Sequence, residues 1–205
     1  MENQAGIENS ALLIDAAMRA RLAALYSAPG RHYHGLAHAE ALLALAERHR
    51  AAIADFAALE AAIWFHDAIY DSRRQDNEAR SAALAREWLA GRVEPERLDR
   101  IAAMIEATRT HRLPDGEDTA ARGDAALLLD MDLSILAAPQ AAFDAYERAV
   151  RLEYGWVDDN TWRAGRAAVL QGFLSRPRIF HSDPFFAECE AAARRNLTRA
   201  LARLG

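Results

Sequence analysis

A chain of 205 residues with 52% hydrophobic content is long enough for one domain with a real core, and its composition gives no sign of disorder. A formal net charge of −5 argues against a protein that wraps nucleic acid or an anionic membrane, since either needs clustered positive charge, whereas a small phosphorylated ligand needs only a few local arginines. The single cysteine, Cys189, excludes an intrachain disulfide framework and fits a reducing compartment, with packing as its expected role.

The opening MENQAGIENS has no basic segment followed by an apolar one, and no uncharged run approaches the roughly 20 residues of a membrane span, so a soluble, cytoplasmic protein is expected. Alanine, leucine, arginine and glutamate dominate, and alternating patterns rich in valine, threonine and aromatics are missing. The expected fold is all-α, a single domain over 1–205. Helices are placed near 10–26, 35–50, 58–70, 77–90, 96–111, 123–137, 140–154, 159–175 and 184–203. Pro29-Gly30 separates the first two, Glu94-Pro95 starts the fifth, Pro114-Asp115-Gly116 marks a loop, and Asp183-Pro184 reads as an N-cap followed by proline at the first helical position.

The third of these, from Leu59 to Asp71 (LEAAIWFHDAIYD), is apolar nearly all round, which marks a central, buried helix. His66 and Asp67 straddle its Leu59/Ile63/Tyr70 face, and a buried imidazole or carboxylate must be hydrogen-bonded, charge-paired or metal-bound. Taken alone, the two read as a satisfied core pair. In the stretch Arg31-His32-Tyr33-His34-Gly35-Leu36-Ala37-His38, which opens the second helix, His34 and His38 share a face with Ala41, Leu42 and Leu45, opposite Glu40 and Glu47. The short connection to the central helix favours an antiparallel pair, and counting about 3.6 residues per turn brings His38 and His66 to the same end of it. Two imidazoles on helices packed about 8–10 Å apart can share a metal at bonds of about 2.0–2.1 Å.

A carboxylate is still needed, and AALLLDMDLSIL (125–136) supplies two. Asp132 falls within the stripe Ala125, Leu128, Leu129, Leu136, where an aspartate is costly without a cation, and is the favoured ligand. Asp130 lies with Ala126 and Ser134 and is expected to face solvent or to stand behind the ligands; the choice between the two aspartates stays open. Bringing Asp132 to the two histidines requires a steep helix crossing that the sequence does not reveal.

Together, His38, His66-Asp67 and a distal Asp132 resemble the HD superfamily of metal-dependent phosphohydrolases. The chain is most similar to the small bacterial family described as predicted metal-dependent HD phosphohydrolases, through RHYHGLAH, AIWFHDAIYD, DNEARSA, LDMDLSIL, RLEY and the late ARRNL, which span most of its length. The resemblance implies an all-helical HD fold with His38, His66, Asp67 and Asp132 as metal ligands. Tyr33-His34-Gly35-Leu36-Ala37-His38 also resembles the YHNxxHA stretch of cyclic-nucleotide phosphodiesterases, a likeness that implies His34 as the acid protonating the leaving oxygen. Gly35 and Tyr70 depart from that pattern, at its asparagine and at the later histidine of its HDxxH, so cyclic-nucleotide hydrolysis is not implied, and a backbone-capping role for His34 is equally open.

The chemistry that follows is hydrolysis of a phosphate ester of a small molecule or nucleotide by a metal-activated water, with Asp67 and Asp132 also orienting that water. The mixed histidine and carboxylate set suits Mn, Fe, Co, Zn or Mg without choosing among them. Two other functions stay open: a non-catalytic module that binds a nucleotide or metal, and a di-iron HD oxygenase, for which His111 is the one credible extra ligand. For His111 itself a core-edge position near a helix C-terminus is expected. Asp76 and Asn77 read as helix caps, Arg151, Arg166, Arg194 and Arg195 as phosphate-holding or structural arginines, Glu78 as standing near the ligands at most, and Trp64, Trp88, Trp156 and Trp162 as core. Self-association is left open.

Overall fold

The computed structural model describes residues 13–114 and 119–204, which form nine α-helices and no strand. They are α1 (Ala16–Tyr26), α2 (Leu36–Arg48), α3 (Phe56–Phe65), α4 (Asn77–Leu89), α5 (Pro95–Ala107), α6 (Thr119–Leu133), α7 (Gln140–Glu153), α8 (Asp159–Leu174) and α9 (Asp183–Ala202), with 3-10 turns at Arg50–Ala52 and Ser134–Ala137. Each answers a helix expected from the sequence. The start of the first, residues 10–12, and Asp115-Gly116 of the expected loop lie outside the described residues.

The domain is built around α3. Leu59, Ile63, Phe65 and the alanines between them are buried on every side, and α1, α2, α4, α5 and α6 all pack against this helix. Each large apolar side chain removed from water there is worth about 1.5–3 kcal/mol, which makes the central helix the main anchor of its neighbours. Asp55 caps its start, accepting from the Ala58 N–H at 3.1 Å. The corner between α2 and α3 is pinned to α6 by Asp124, a buried carboxylate whose two oxygens accept from the N–H groups of Ala54 and Asp55, each at 2.8 Å. Asp124→Ala strands those two donors, and we expect a loss of about 1–3 kcal/mol in urea unfolding with the helical signal at zero denaturant unchanged.

Two helix ends differ from the sequence reading. The third helix stops at Phe65 instead of running to residue 70, because the backbone beyond it is held by side chains from elsewhere. The Asp67 N–H donates to the Tyr26 hydroxyl (3.2 Å), Arg31 donates to the carbonyls of Asp67 (2.6 Å) and Ala68 (2.9 Å), and the Ile69 N–H donates to the Ser81 hydroxyl (3.0 Å). The fifth helix ends at Ala107 instead of residue 111. There the Thr108 hydroxyl donates to the Ile105 carbonyl (2.7 Å), and His111 adopts a left-handed conformation with φ of 48°.

Other expectations are corrected as well. Asp76 occupies the N-cap position of α4 without a capping hydrogen bond, its carboxylate being paired with Arg74. Asn77 clamps the turn after the His-Asp pair, accepting from the Asp71 N–H (3.1 Å) and donating to its carbonyl (3.0 Å). Of the tryptophans only Trp64 is fully in the core; Trp156 is half exposed and donates to the Ser72 hydroxyl. Cys189 packs half-buried against the core, as expected. Among the described residues no single helix is long and apolar enough to cross a membrane. Only Thr119–Ala137 and Gln140–Glu153 taken together reach that length, and they are bent by 105° at their junction.

Candidate metal centre

His38 and His66 come together as the antiparallel pairing of α2 and α3 requires. Their Nε2 atoms face each other at 3.2 Å. His66 sits at the C-cap of α3, and its Nδ1 donates to the Ile63 carbonyl at 2.8 Å. That bond holds the ring proton on Nδ1 in the neutral tautomer and leaves the Nε2 lone pair aimed at the cluster. Asp67 follows in the turn, its Oδ2 lying 3.1 Å from His66 Nε2 and 3.8 Å from His38 Nε2. The fourth group arrives from α6, which packs against both α2 and α3: Asp132 Oδ1 lies 3.1 Å from His38 Nε2. The helix crossing that the sequence left unspecified thus brings Asp132 to His38.

His38, His66 and Asp67 offer ligand atoms close enough to hold a metal ion. The chemistry of the set fits a cation. Two nearly inaccessible imidazole nitrogens and the Asp67 carboxylate converge at one point, Asp132 adjoins them through His38, and both carboxylates are on the open side. The electrostatics are those of a site built around positive charge. Burial opposes protonation of His66, yet Asp67 beside it and Asp132 raise its pKa to about 9. Burial likewise opposes ionisation of Asp67 and Asp132, but hydrogen bonds and charge from the surrounding histidines hold both carboxyls well below the usual range.

Asp130 is corrected. It is fully buried rather than solvent-facing, because α6 is enclosed on nearly all sides from Asp124 to Met131. Its two oxygens accept from the N–H groups of His181 (2.6 Å) and Ser182 (2.7 Å), so it anchors the entry to α9. Burial pushes its carboxyl up, the opposite of Asp132.

His34 stands just before α2, whose N-cap is Gly35, and so reaches the centre from a loop rather than from the helix face expected of it. That loop is organised by Glu153 at the end of α7. One oxygen, Oε1, accepts from three consecutive backbone N–H groups, of His32 (2.8 Å), Tyr33 (2.6 Å) and His34 (2.9 Å). The other, Oε2, is 2.6 Å from His34 Nδ1 and accepts from the Tyr70 hydroxyl at 2.7 Å. Tyr70 also stacks on the imidazole, with ring centroids 4.4 Å apart. Burial alone would lower the His34 pKa, but the hydrogen bond it donates to Glu153 and the charge of Asp67 raise it. Burial would raise the Glu153 pKa, yet His34 and the backbone donors bring it down to about 2. With Nδ1 engaged, Nε2 is the ring nitrogen left to face the cavity.

No family model matches the chain, and neither the curated proteins nor the solved structures include a match to it. What the site can do is therefore argued from its own geometry.

His34, Asp67, His111 and Asp132 line one end of a cavity of about 540 Å³ whose far walls come from α7 and α8. His111 is at the site rather than at a passive core edge. Its Nε2 is 2.8 Å from Asp132 Oδ2, and its carbonyl accepts from Arg176 (3.0 Å) and His181 Nε2 (3.1 Å). A left-handed histidine is strained by roughly 1–2 kcal/mol, and these bonds are what hold it there. The expected arginines are otherwise employed. Arg151 donates to the carbonyls of Tyr154 and Val157 and to Asp159, Arg166 pairs with Glu147 and Tyr146, Arg194 joins Glu190 to three carbonyls, and Arg195 is exposed. Glu78 lines the cavity.

Two residues that matter were missed in the sequence. Glu153 ends the α7 stripe Phe143, Tyr146, Val150, where a carboxylate is as costly as Asp132 is in its leucine stripe. The helical phase that singled out Asp132 singles out Glu153 too. Arg31, which joins the His34 carbonyl (3.0 Å) to those of Asp67 and Ala68, had no such signal, because Asp67 and Ala68 lie 36 and 37 residues away.

Proposed function

We propose that this chain is a metal-dependent phosphohydrolase of the HD type that cleaves the phosphate ester of a small molecule. The observation that carries the reading is the cluster of His38, His66, Asp67 and Asp132, whose two carboxylates line a cavity, with His34, paired with Glu153, on its wall. A divalent cation held by those four residues would supply the acidity that makes hydroxide available near neutral pH and would polarise a phosphoryl oxygen. The chain's own part begins with burial: the two imidazoles, almost closed to solvent, bind as neutral ligands, while Asp67 and Asp132 bring the compensating negative charge from the cavity side. A phosphate ester entering the cavity presents its leaving oxygen to His34. The imidazolium gives its Nε2 proton to that oxygen, and Glu153 on Nδ1 stabilises the charge before transfer and fixes the ring for it. Asp67 and Asp132, whose carboxyls the surrounding histidines hold well below the usual range, orient the attacking water.

The test is elemental analysis of protein purified without chelator, beside Asp132→Ala, followed by hydrolysis of an aryl phosphate with Mn, Fe, Co, Zn and Mg in turn. We expect near-stoichiometric metal that is lost in the variant, and metal-dependent hydrolysis. His34→Gln should keep its metal and lower kcat by about 100-fold or more. Metal absent from both proteins even after incubation with each ion would replace the enzyme with a structural His–Asp cluster.

A further inference from the structure

The cavity extends well beyond the volume a phosphate needs, and its outer wall is unlike its floor. Along α8, Thr161, Gly165, Val169 and Phe173 follow one another at four-residue intervals and share one face, which lines the cavity, with Phe173 also packed against the core. Trp162 adds a ring, in contact with Tyr154 at 5.5 Å between centroids. Among the guanidinium groups of the wall, Arg166 is neutralised by Glu147, which leaves Arg109 without a carboxylate partner among the described residues. A polyphosphate would need several unpaired cations and would meet Glu78. A polyhydroxylated body would leave hydroxyls unsatisfied against this wall.

Gly165 supplies a separate observation. It lies inside α8, where glycine costs about 1 kcal/mol relative to alanine, and its φ is not in the left-handed region. No protein atom lies within 4 Å of where its Cβ would be, so no neighbouring group requires the glycine. What its missing side chain does leave is room in the cavity. Gly172 on the same helix is equally uncrowded but is not part of the wall, and serves as its control.

We infer that the cavity receives a substrate with a single phosphate and an uncharged, apolar or aromatic body, and that this body packs against the backbone of α8 at Gly165. The inference rests on the phosphohydrolase reading for the placement of the phosphate, and on the wall alone for the body. Gly165 and Trp162 are then the residues that set specificity.

The experiment compares wild type, Gly165→Ala and Gly172→Ala. Hydrolysis of 1-naphthyl phosphate, glycerol 2-phosphate and tripolyphosphate is followed with manganese, and binding of 1-naphthyl phosphate is read separately from the quenching of tryptophan fluorescence. Both variants should melt at a slightly higher temperature than wild type, since each adds a helix former, so misfolding does not confuse the outcome. We expect 1-naphthyl phosphate to exceed the other two in kcat/KM by at least about tenfold, and Gly165→Ala to raise its KM and Kd by at least about fivefold with kcat nearly unchanged, because an added methyl overfills the contact. Gly172→Ala should change neither. Preference for glycerol phosphate or tripolyphosphate, or a Gly165→Ala variant that behaves like Gly172→Ala, overturns the inference. Binding of 1-naphthyl phosphate that is sensitive to Gly165→Ala, in a protein that hydrolyses none of the three, upholds the wall assignment and removes the phosphohydrolase reading instead.

Discussion

His66→Ala is expected to lower the affinity for divalent metal by at least about 100-fold, more than the loss of a residue that merely supports a ligand would cost. The imidazole is almost fully buried and touches His38 and Asp67 on one edge and the Ile63 carbonyl on the other. Its removal takes away a ligand nitrogen that lies within 3.2 Å of His38 Nε2 and 3.1 Å of Asp67 Oδ2. The fold should survive. His66 stands at the last turn of α3, beyond the apolar residues that anchor it, and the Ile63 carbonyl that loses its partner also accepts from the Tyr26 hydroxyl. Metal content by elemental analysis, taken with helical content by circular dichroism, checks both halves. Asp67→Ala should give the same result, since the turn is held by backbone bonds to Tyr26 and Arg31 that do not involve its carboxylate. A variant that loses its helices, or keeps a full equivalent of metal, would overturn the assignment of the centre.

Glu153→Gln is expected to destabilise the protein by about 3–5 kcal/mol at neutral pH, the range for breaking one side of a buried ion pair. The carboxylate side chain is closed to solvent and serves three backbone N–H groups, one imidazole and one phenol at once. The pH dependence has a definite sign. The Glu153 pKa is lowered from 4.5 to about 2 on folding, so its stabilisation is complete above 4.5 and is lost as the pH falls toward 2, a change of about 3 kcal/mol. His34 moves the other way: raised above 6.5, it stabilises fully below that value and ceases to do so as the pH rises through its folded pKa. The gap between wild type and Glu153→Gln should therefore be widest between about pH 4.5 and 6.5 and narrow on either side. Urea unfolding at a series of pH values measures it. A gap below about 1 kcal/mol, or one independent of pH, would mean that the hub contributes as a set of neutral hydrogen bonds only.

The helices themselves were legible because their signals are local. Pro95 and Pro184 stand at the first turns of α5 and α9, and the buried faces of α2 and α5 repeat every three or four residues. The encounter of His38 with His66 was legible for the same reason, since a short connection fixes which ends of two neighbouring helices meet. Asp132 could be chosen over Asp130 from its place in a leucine stripe, although the reason assumed for Asp130 was wrong: on a helix buried all round, the opposite face holds a second set of internal partners instead of water.

What only the tertiary structure decided is where groups distant in sequence meet. The end of α3 at Phe65 is set by Tyr26, Arg31 and Ser81, whose hydrogen bonds take the backbone groups a longer helix would have used. Glu153 holds a loop about 120 residues earlier, and its phase on α7 marked a buried carboxylate without naming His34 as the partner. The cavity, with one wall from α8, exists only once the helices are assembled. Periodicity reports which face of each helix leaves water; which faces then meet depends on the crossing geometry of the whole bundle, and no local pattern carries that.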